Sequence, residues 1–519
     1  MSNPSSACGP KESGPIVATT PLVKFLERVQ ETALQTLGPN GFDPKLYVDL
    51  SLKQTLSATV KAFDNLPRNG SGSVSAKELN RFEEEYLGGA EEDLELSSPV
   101  DFVPEPEHFL PKVKSSEVRA WALEVHRLWK NLSRKVSGRV FQNPDFHTLL
   151  PLEKPVVIPG SRFREVYYWD SYWVIRGLLA SKMYETAKGI VHNLISLIDE
   201  FGYVLNGARA YYTNRSQPPL LSSMVVDIYK RTRDENFVKK SLPALLKEHA
   251  FWNSGIHKVI VEDAHGSIHT LNRYYARWNQ PRPESSTIDK ETASKLSDKC
   301  AKEKLYREIA STAETGWDFS TRWMRNESDL TTLATTSILP VDLNALILKM
   351  ELDITLLANA IGDSATANSF RETSLARKKA INSIFWNAEK KQWLDYWLTT
   401  HPVSSEEVHK WKASSQNKKS YASNFVPLWI DLFHSGLVRS GSKKARLVAQ
   451  DIAEKWVRTN YVAYKKTGAM HEKYDVQKCG GSGGGGEYKP QTGFGWSNGV
   501  VLAFLEEFGW PEGLKFDCL

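Results

Sequence analysis

Residues Pro159–Trp173 read PGSRFREVYYWDSYW and set two arginines, two carboxylates, three tyrosines and two tryptophans within 15 residues. That mixture suits a sugar: a pyranose offers apolar faces to aromatic planes and hydroxyls to guanidinium and carboxylate groups. The competing reading is a helix start whose aromatics face the core. Arg162 and Glu165, beside Pro159 and Gly160 in a loop ahead of the helix, weigh against it. Farther on, Asp318 lies between Trp317 and Phe319, where partial desolvation would raise a carboxyl pKa, as a general acid at neutral pH requires. A lone Asp near a helix start serves equally well as an N-cap. Glu472 stands in HEKYD, where the plain alternative is a solvated surface glutamate.

Two other chemistries are excluded by spacing. His471 and Glu472 begin an H-E-x-x-H zinc motif, but its fifth position is Asp475, so the second histidine ligand is missing. The run Gly480–Gly486 formally contains G-x-G-x-x-G. It is followed by Glu487-Tyr488-Lys489-Pro490, an acidic residue and a proline where a phosphate-binding helix would begin. A flexible glycine loop over a sugar pocket, with Glu487 pointing in, accounts better for it.

The elements that must position these residues are helical. Helix-period segments cover Pro21–Leu37, Ser115–Val136, Tyr167–Glu200, Leu220–Ser254, Asp342–Ile384, Ser420–Leu437, Ser442–Lys466 and Gly495–Gly509. Strand alternation is scarce, with Gly255–His269 the best candidate for a small hairpin. The class is all-α, and with no 33- to 47-residue repeat a closed helical toroid is favoured over a solenoid. Lys53–Leu110, charged and interrupted by Gly and Ser clusters, reads as a peripheral extension. Met1–Thr20 reads as a disordered tail, and residues 21–519 as a single domain.

Composition narrows the partners. The 66 Lys and Arg against 61 Asp and Glu leave a net charge of +5, spread without a block of like charges, so no nucleic acid is expected. The N-terminus lacks the apolar run of a signal peptide, and no membrane segment is visible, so the chain as written reads as cytoplasmic. Cys8, Cys300, Cys479 and Cys518 show no C-x-x-C pair and are expected to be unpaired thiols. Sequons at Asn69, Asn131, Asn214 and Asn326 decide nothing by themselves.

A resemblance makes the reading specific. Pro159–Tyr172 is similar to the first signature of the trehalase family, glycoside hydrolase family 37, P-G-G-R-F-x-E-x-Y-x-W-D-x-Y, with Ser161 in place of the second glycine. Leu205–Pro219 (LNGARAYYTNRSQPP), Pro281–Ser285 (PRPES), Glu314–Trp323 (ETGWDFSTRW), Glu472–Val476 (EKYDV) and Gly483–Asn498 (GGGGEYKPQTGFGWSN) resemble the same family in the same order. The resemblance implies an (α/α)6 toroid with a peripheral N-terminal extension, hydrolysing α,α-trehalose with inversion and without metal or organic cofactor. It implies Asp318 as general acid and Glu472 as general base. The implied sugar contacts are Arg162, Phe163, Tyr167, Trp169, Asp170, Asn206, Arg215, Gln217, Arg282, Glu284, Gly316 and Glu487, and the glycine run becomes a lid.

One family element is missing. The second signature, Q-W-D-x-P-x-G-W, should lie between Tyr421–Phe433 and the helix beginning near Ser442, but the chain passes from Phe433 through His434-Ser435-Gly436-Leu437 into that helix. A few dozen residues are absent, including a tryptophan at the sugar subsite and most of a toroid helix. The expected consequence is an open barrel wall. The alternatives to a working trehalase are therefore a catalytically impaired sugar-binding relative and a hydrolase of another α-glucoside.

Overall fold

The computed structural model describes residues 8, 14–70, 72–160, 162–398, 407–429 and 442–518. Helices dominate them, and three of the long helix-period segments are in fact hairpins of two helices. Tyr168–Ala180 and Tyr184–Phe201 are separated at Lys182, and Leu221–Thr232 and Glu235–Trp252 at Arg233, both residues in the left-handed region. Val341–Ala360 and Ser364–Phe385 part at Gly362. Hydrophobic spacing continues across a short turn, because both helices bury a face in the same core, so periodicity alone does not see the break.

Each hairpin contributes an inner and an outer helix. Gly495–Phe508 packs along Tyr168–Ala180, which neighbours Leu221–Thr232, which neighbours Val341–Ala360. Behind this ring stand Ser116–Leu132, Tyr184–Phe201, Glu235–Trp252, Ser364–Phe385 and Lys443–Thr467. The inner helices are buried on most sides: Val341–Ala360 buries Leu343, Ile347, Met350, Ile354 and Leu357 and leaves Leu352 and Leu356 exposed. A helix buried over most of its circumference must be enclosed by others. The architecture is all-α, an (α/α)6 toroid, as the sequence led us to expect.

Smaller elements complete it. Lys258–Glu262 pairs antiparallel with Ile268–Asn272, the hairpin expected from alternation, and Val408–Lys410 adds a parallel strand. Thr20 caps Pro21–Leu37 by accepting from the Val23 N–H. The Leu22, Phe25, Leu26 and Val29 face of that helix packs on Leu52, Phe63, Phe82 and Leu87, giving the N-terminal extension its own small core. Val17 donates its N–H to the Arg277 carbonyl at 2.9 Å, so the chain before this helix runs along the body.

The cysteine expectation is overturned. Cys8 is bonded to Cys300 and Cys479 to Cys518, pairs separated by 292 and 39 residues. Scattered cysteines carry no information about spatial distance, and the folded chain brings both pairs together.

The Phe433–Ser442 junction lies outside the described residues, but its two flanks do not. Phe425 and Trp429 are 55% and 38% exposed. Helix Lys443–Thr467 leaves Leu447, Val448 and Ile452 at 65%, 45% and 51% exposure, and its buried apolar residues begin only at Ala453 and Val457. Apolar residues clustered on solvent-facing turns mark a surface that a neighbouring element would cover.

A buried ion cluster fixes the loop that carries Asp318. Arg322 donates from Nε and Nη2 to Asp395 at 2.6 and 2.8 Å and from Nη1 and Nη2 to Asp342 at 3.0 and 2.6 Å. Asp395 also accepts the Val341 N–H, tying the loop to the start of an inner helix. Arg322→Met should lower unfolding stability by about 3–5 kcal/mol, since it strands two buried carboxylates. Denaturant titration checks this, and an unchanged midpoint would contradict it.

Candidate active site

The loop that carries Asp318 begins where helix Lys299–Glu314 ends. Gly316 has φ 71° with the Trp169 ring 3.0 Å from where a Cβ would stand, so only glycine lets the loop turn beneath that indole. Trp169 meets Trp317 and Trp496 edge-on, forming one aromatic wall. Asp318 keeps an exposed surface although protein surrounds its carboxyl. Enclosure first, and then the Glu487 carboxylate, push Asp318 up to about 6, against the opposing pull of Arg282 and Arg215.

Glu472 is 4% exposed, not a solvated surface glutamate. Its Oε1 accepts from the Tyr488 hydroxyl at 2.9 Å and its Oε2 from the Gln491 N–H at 2.8 Å. The Trp496 indole donates to its carbonyl at 2.9 Å. Asp170, in the first turn of Tyr168–Ala180, is buried and raised to about 7, by burial first and then by Glu472 and Asp318 nearby. Three carboxyl groups therefore share one site with their charges in mutual reach.

The glycine loop reaches both ends of it. Glu487 accepts from Arg282 Nη2 at 2.5 Å and from Ser285 Oγ at 3.1 Å, on the side of Asp318, while Tyr488 reaches Glu472. Arg282 is held from behind by Asp289, at 2.7 and 3.0 Å. Arg215 donates to Glu284 at 2.5 Å and lies over the Tyr212 ring. Arg215 Nε and Glu284 Oε2 are buried and unpaired, polar atoms of the kind a hydroxylated ligand would satisfy.

The other expected contacts divide into lining and bracing. Phe163 packs edge-on against Tyr167, Tyr488 and Phe494. Tyr167 shares a 2.7 Å hydrogen bond with the Tyr212 hydroxyl. Gln217 accepts the Trp169 N–H at 3.0 Å, and Asn206 donates to the Ser216 carbonyl at 2.9 Å, so these two amides hold loops as well as border the site. Glu165 faces away from the site, buried against Lys45 and Arg209. Ser161 lies outside the described residues. Its neighbour Gly160 (φ 138°) comes so near the Gly493 carbonyl that a Cβ would stand 2.1 Å from it, which docks the signature loop against the end of the glycine loop.

Sequence reasoning missed Asp43, Asp289, Tyr488 and Gln491. Asp43 forks Arg162 at 2.6 and 2.7 Å, and although burial opposes it, this pairing keeps the Asp43 carboxyl below its ordinary value. Asp43 was legible only as a cap before Pro44, since it also accepts the Lys45 N–H. Its partner is 119 residues away. Tyr488 adjoins Glu487 and could have been singled out.

Comparison with known proteins agrees with this geometry. A family model described as "Trehalase" matches residues 40–437 and 432–509, two stretches that meet at the junction instead of running through it. The chain is 55% identical to a "Probable trehalase" of Oryza sativa subsp. japonica, over 96% of this chain and 97% of that one. That alignment spans 553 positions against 519 residues here, so the rice protein carries residues this chain lacks. A "Trehalase" of Arabidopsis thaliana is 52% identical over 98% of this chain and 89% of its own, and one of Homo sapiens 34% over 90% and 86%. Among solved structures, the neutral trehalase of Saccharomyces cerevisiae superposes with a TM-score of 0.53 at 22% identity, covering 68% of this chain and 73% of that one, a likeness of fold. With the signature stretches folded into one site and a family match along most of its length, the chain belongs to the trehalase family.

Proposed function

We propose that this protein hydrolyses α,α-trehalose to two glucose molecules by a single displacement with inversion. Asp318 gives its proton to the glycosidic oxygen as the C1–O bond breaks, and a water attacks C1 from the opposite face while Glu472 takes its proton. One glucose leaves as the α-anomer and the attacked one appears as the β-anomer. The observation that carries this reading is the asymmetry of the two carboxyls: Asp318 is enclosed beside another carboxylate and raised to about 6, whereas Glu472 accepts two hydrogen bonds. Pairs of carboxyls in such opposed settings divide into an acid and a base. Arg162, Arg215 and Arg282 would hold sugar hydroxyls, with Trp169 as an aromatic wall.

A coupled glucose assay on trehalose and maltose, with proton NMR of the first turnovers, tests the proposal. Glucose from trehalose in equal initial amounts of both anomers is the expected result. Preference for maltose selects the other α-glucosidase reading, and binding without turnover selects the impaired relative. The paired cysteines further suit an oxidising compartment.

The acid also predicts the alkaline limb. Asp318 must be protonated to act, and its carboxyl titrates at about 6, so kcat/KM should fall as pH rises through about 6. Glu487→Gln removes a negative neighbour and should move that limb to lower pH. A limb that stays in place in this variant would show that Glu487 does not act on the acid.

A further inference from the structure

The residue that the mechanism leaves unused and the geometry places best is Tyr488. Its hydroxyl fills one oxygen of Glu472 at 2.9 Å, and Gln491, three residues on, fills the other. The Tyr488 ring is fixed in turn. The Arg162 guanidinium lies 4.9 Å from its centroid, Phe163 meets it edge-on at 5.3 Å, and Arg162 itself is locked by the Asp43 fork. An unbroken line of contacts thus runs from the N-terminal segment through Asp43, Arg162 and Tyr488 to the base.

We propose that Tyr488 is a positioning residue for Glu472, which holds the base carboxylate in one orientation so that its free lone pairs face the attacking water. A carboxylate has about four acceptor positions, so two fixed donors still leave room for that water. Burial, with Glu472 beside it, keeps the tyrosine proton far above the ordinary phenol range, so the hydroxyl stays a donor. Adjacent side chains of one glycine-rich loop then serve both carboxyls, Glu487 through Arg282 on the acid side and Tyr488 on the base. Seating of this loop thus sets how the base carboxylate meets the attacking water.

This inference rests on the hydrolase reading, and the test separates the two. Kinetics on trehalose are compared for the full chain, Tyr488→Phe, Tyr488→Ala and Asp318→Asn. Tyr488→Phe keeps the ring and its packing on Arg162 and removes only the donor. Its kcat should fall roughly tenfold to a hundredfold, with KM within about threefold, because a hydrogen bond to a charged group is lost and substrate contacts are kept. Tyr488→Ala also frees Arg162 and should raise KM. A crystal structure of Tyr488→Phe should show the Glu472 carboxylate in more than one orientation. Either a kcat within about threefold of the parent or an unmoved, singly oriented carboxylate overturns the proposal. Parent turnover no faster than that of Asp318→Asn would count against the hydrolase reading instead, and the crystal structure would still judge Tyr488.

Discussion

Asp318→Asn and Glu472→Gln are each expected to lower kcat on trehalose by at least about a hundredfold, with melting temperature and circular dichroism close to the parent. Each swap keeps size and hydrogen-bonding atoms and removes only proton transfer, which contributes roughly 10²–10⁴-fold. The folded surroundings tolerate both changes. The Asp318 side chain keeps an exposed surface, so an amide there is accommodated. Gln at 472 can accept from Tyr488 through its carbonyl oxygen, although the Gln491 N–H would then face an NH₂ group. The fold should therefore survive, with Glu472→Gln slightly the less stable. The two losses differ in pH dependence, because the alkaline limb that Asp318 creates near 6 should vanish in Asp318→Asn and persist in Glu472→Gln. Retention of more than about a hundredth of parental kcat in either variant would remove that residue from its role.

Inserting after Phe433 a segment that carries the second family signature should raise kcat/KM on trehalose by about a hundredfold. Asp318, Glu472 and the three arginines already share one site without that segment. What the segment would add is positioning. Displacing a substrate by about 1 Å can cost on the order of a hundredfold in rate, and a missing wall also admits water that weakens charge interactions in the site. The structure adds a second expectation. Leu447, Val448 and Ile452 stand exposed on the helix that follows the junction, and Phe425 and Trp429 on the stub before it. Covering them should raise the melting temperature and lower dye binding to exposed apolar surface. Activity, melting temperature and dye binding all equal in the two chains would show that the segment forms no part of the barrel wall.

Much of the fold was legible because its causes are local. Pro21–Leu37 reads from its cap and apolar spacing, and the structure returns the same residues. The hairpin after Gly255 reads from alternation. The splits at Lys182 and Arg233 were not legible, because two helices that bury faces in one core keep one continuous pattern. Similarly, the long ordered signatures carried Asp318 and Glu472, while their neighbours in space did not announce themselves. Asp43 reaches Arg162 across 119 residues, and Cys8 reaches Cys300 across 292.

What the sequence determined by itself was the helical class, the family likeness and the proposed acid and base, Asp318 and Glu472, since these depend on residue type and short-range order. What the tertiary structure alone decided was the state of those groups: the raised Asp318, the doubly bonded Glu472 and the paired cysteines. The reason is physical. A proton affinity or a bond between side chains depends on which charges, donors and apolar walls stand within a few ångströms, and only folding brings Glu487, Tyr488 and Asp170 to that distance from the two carboxyls.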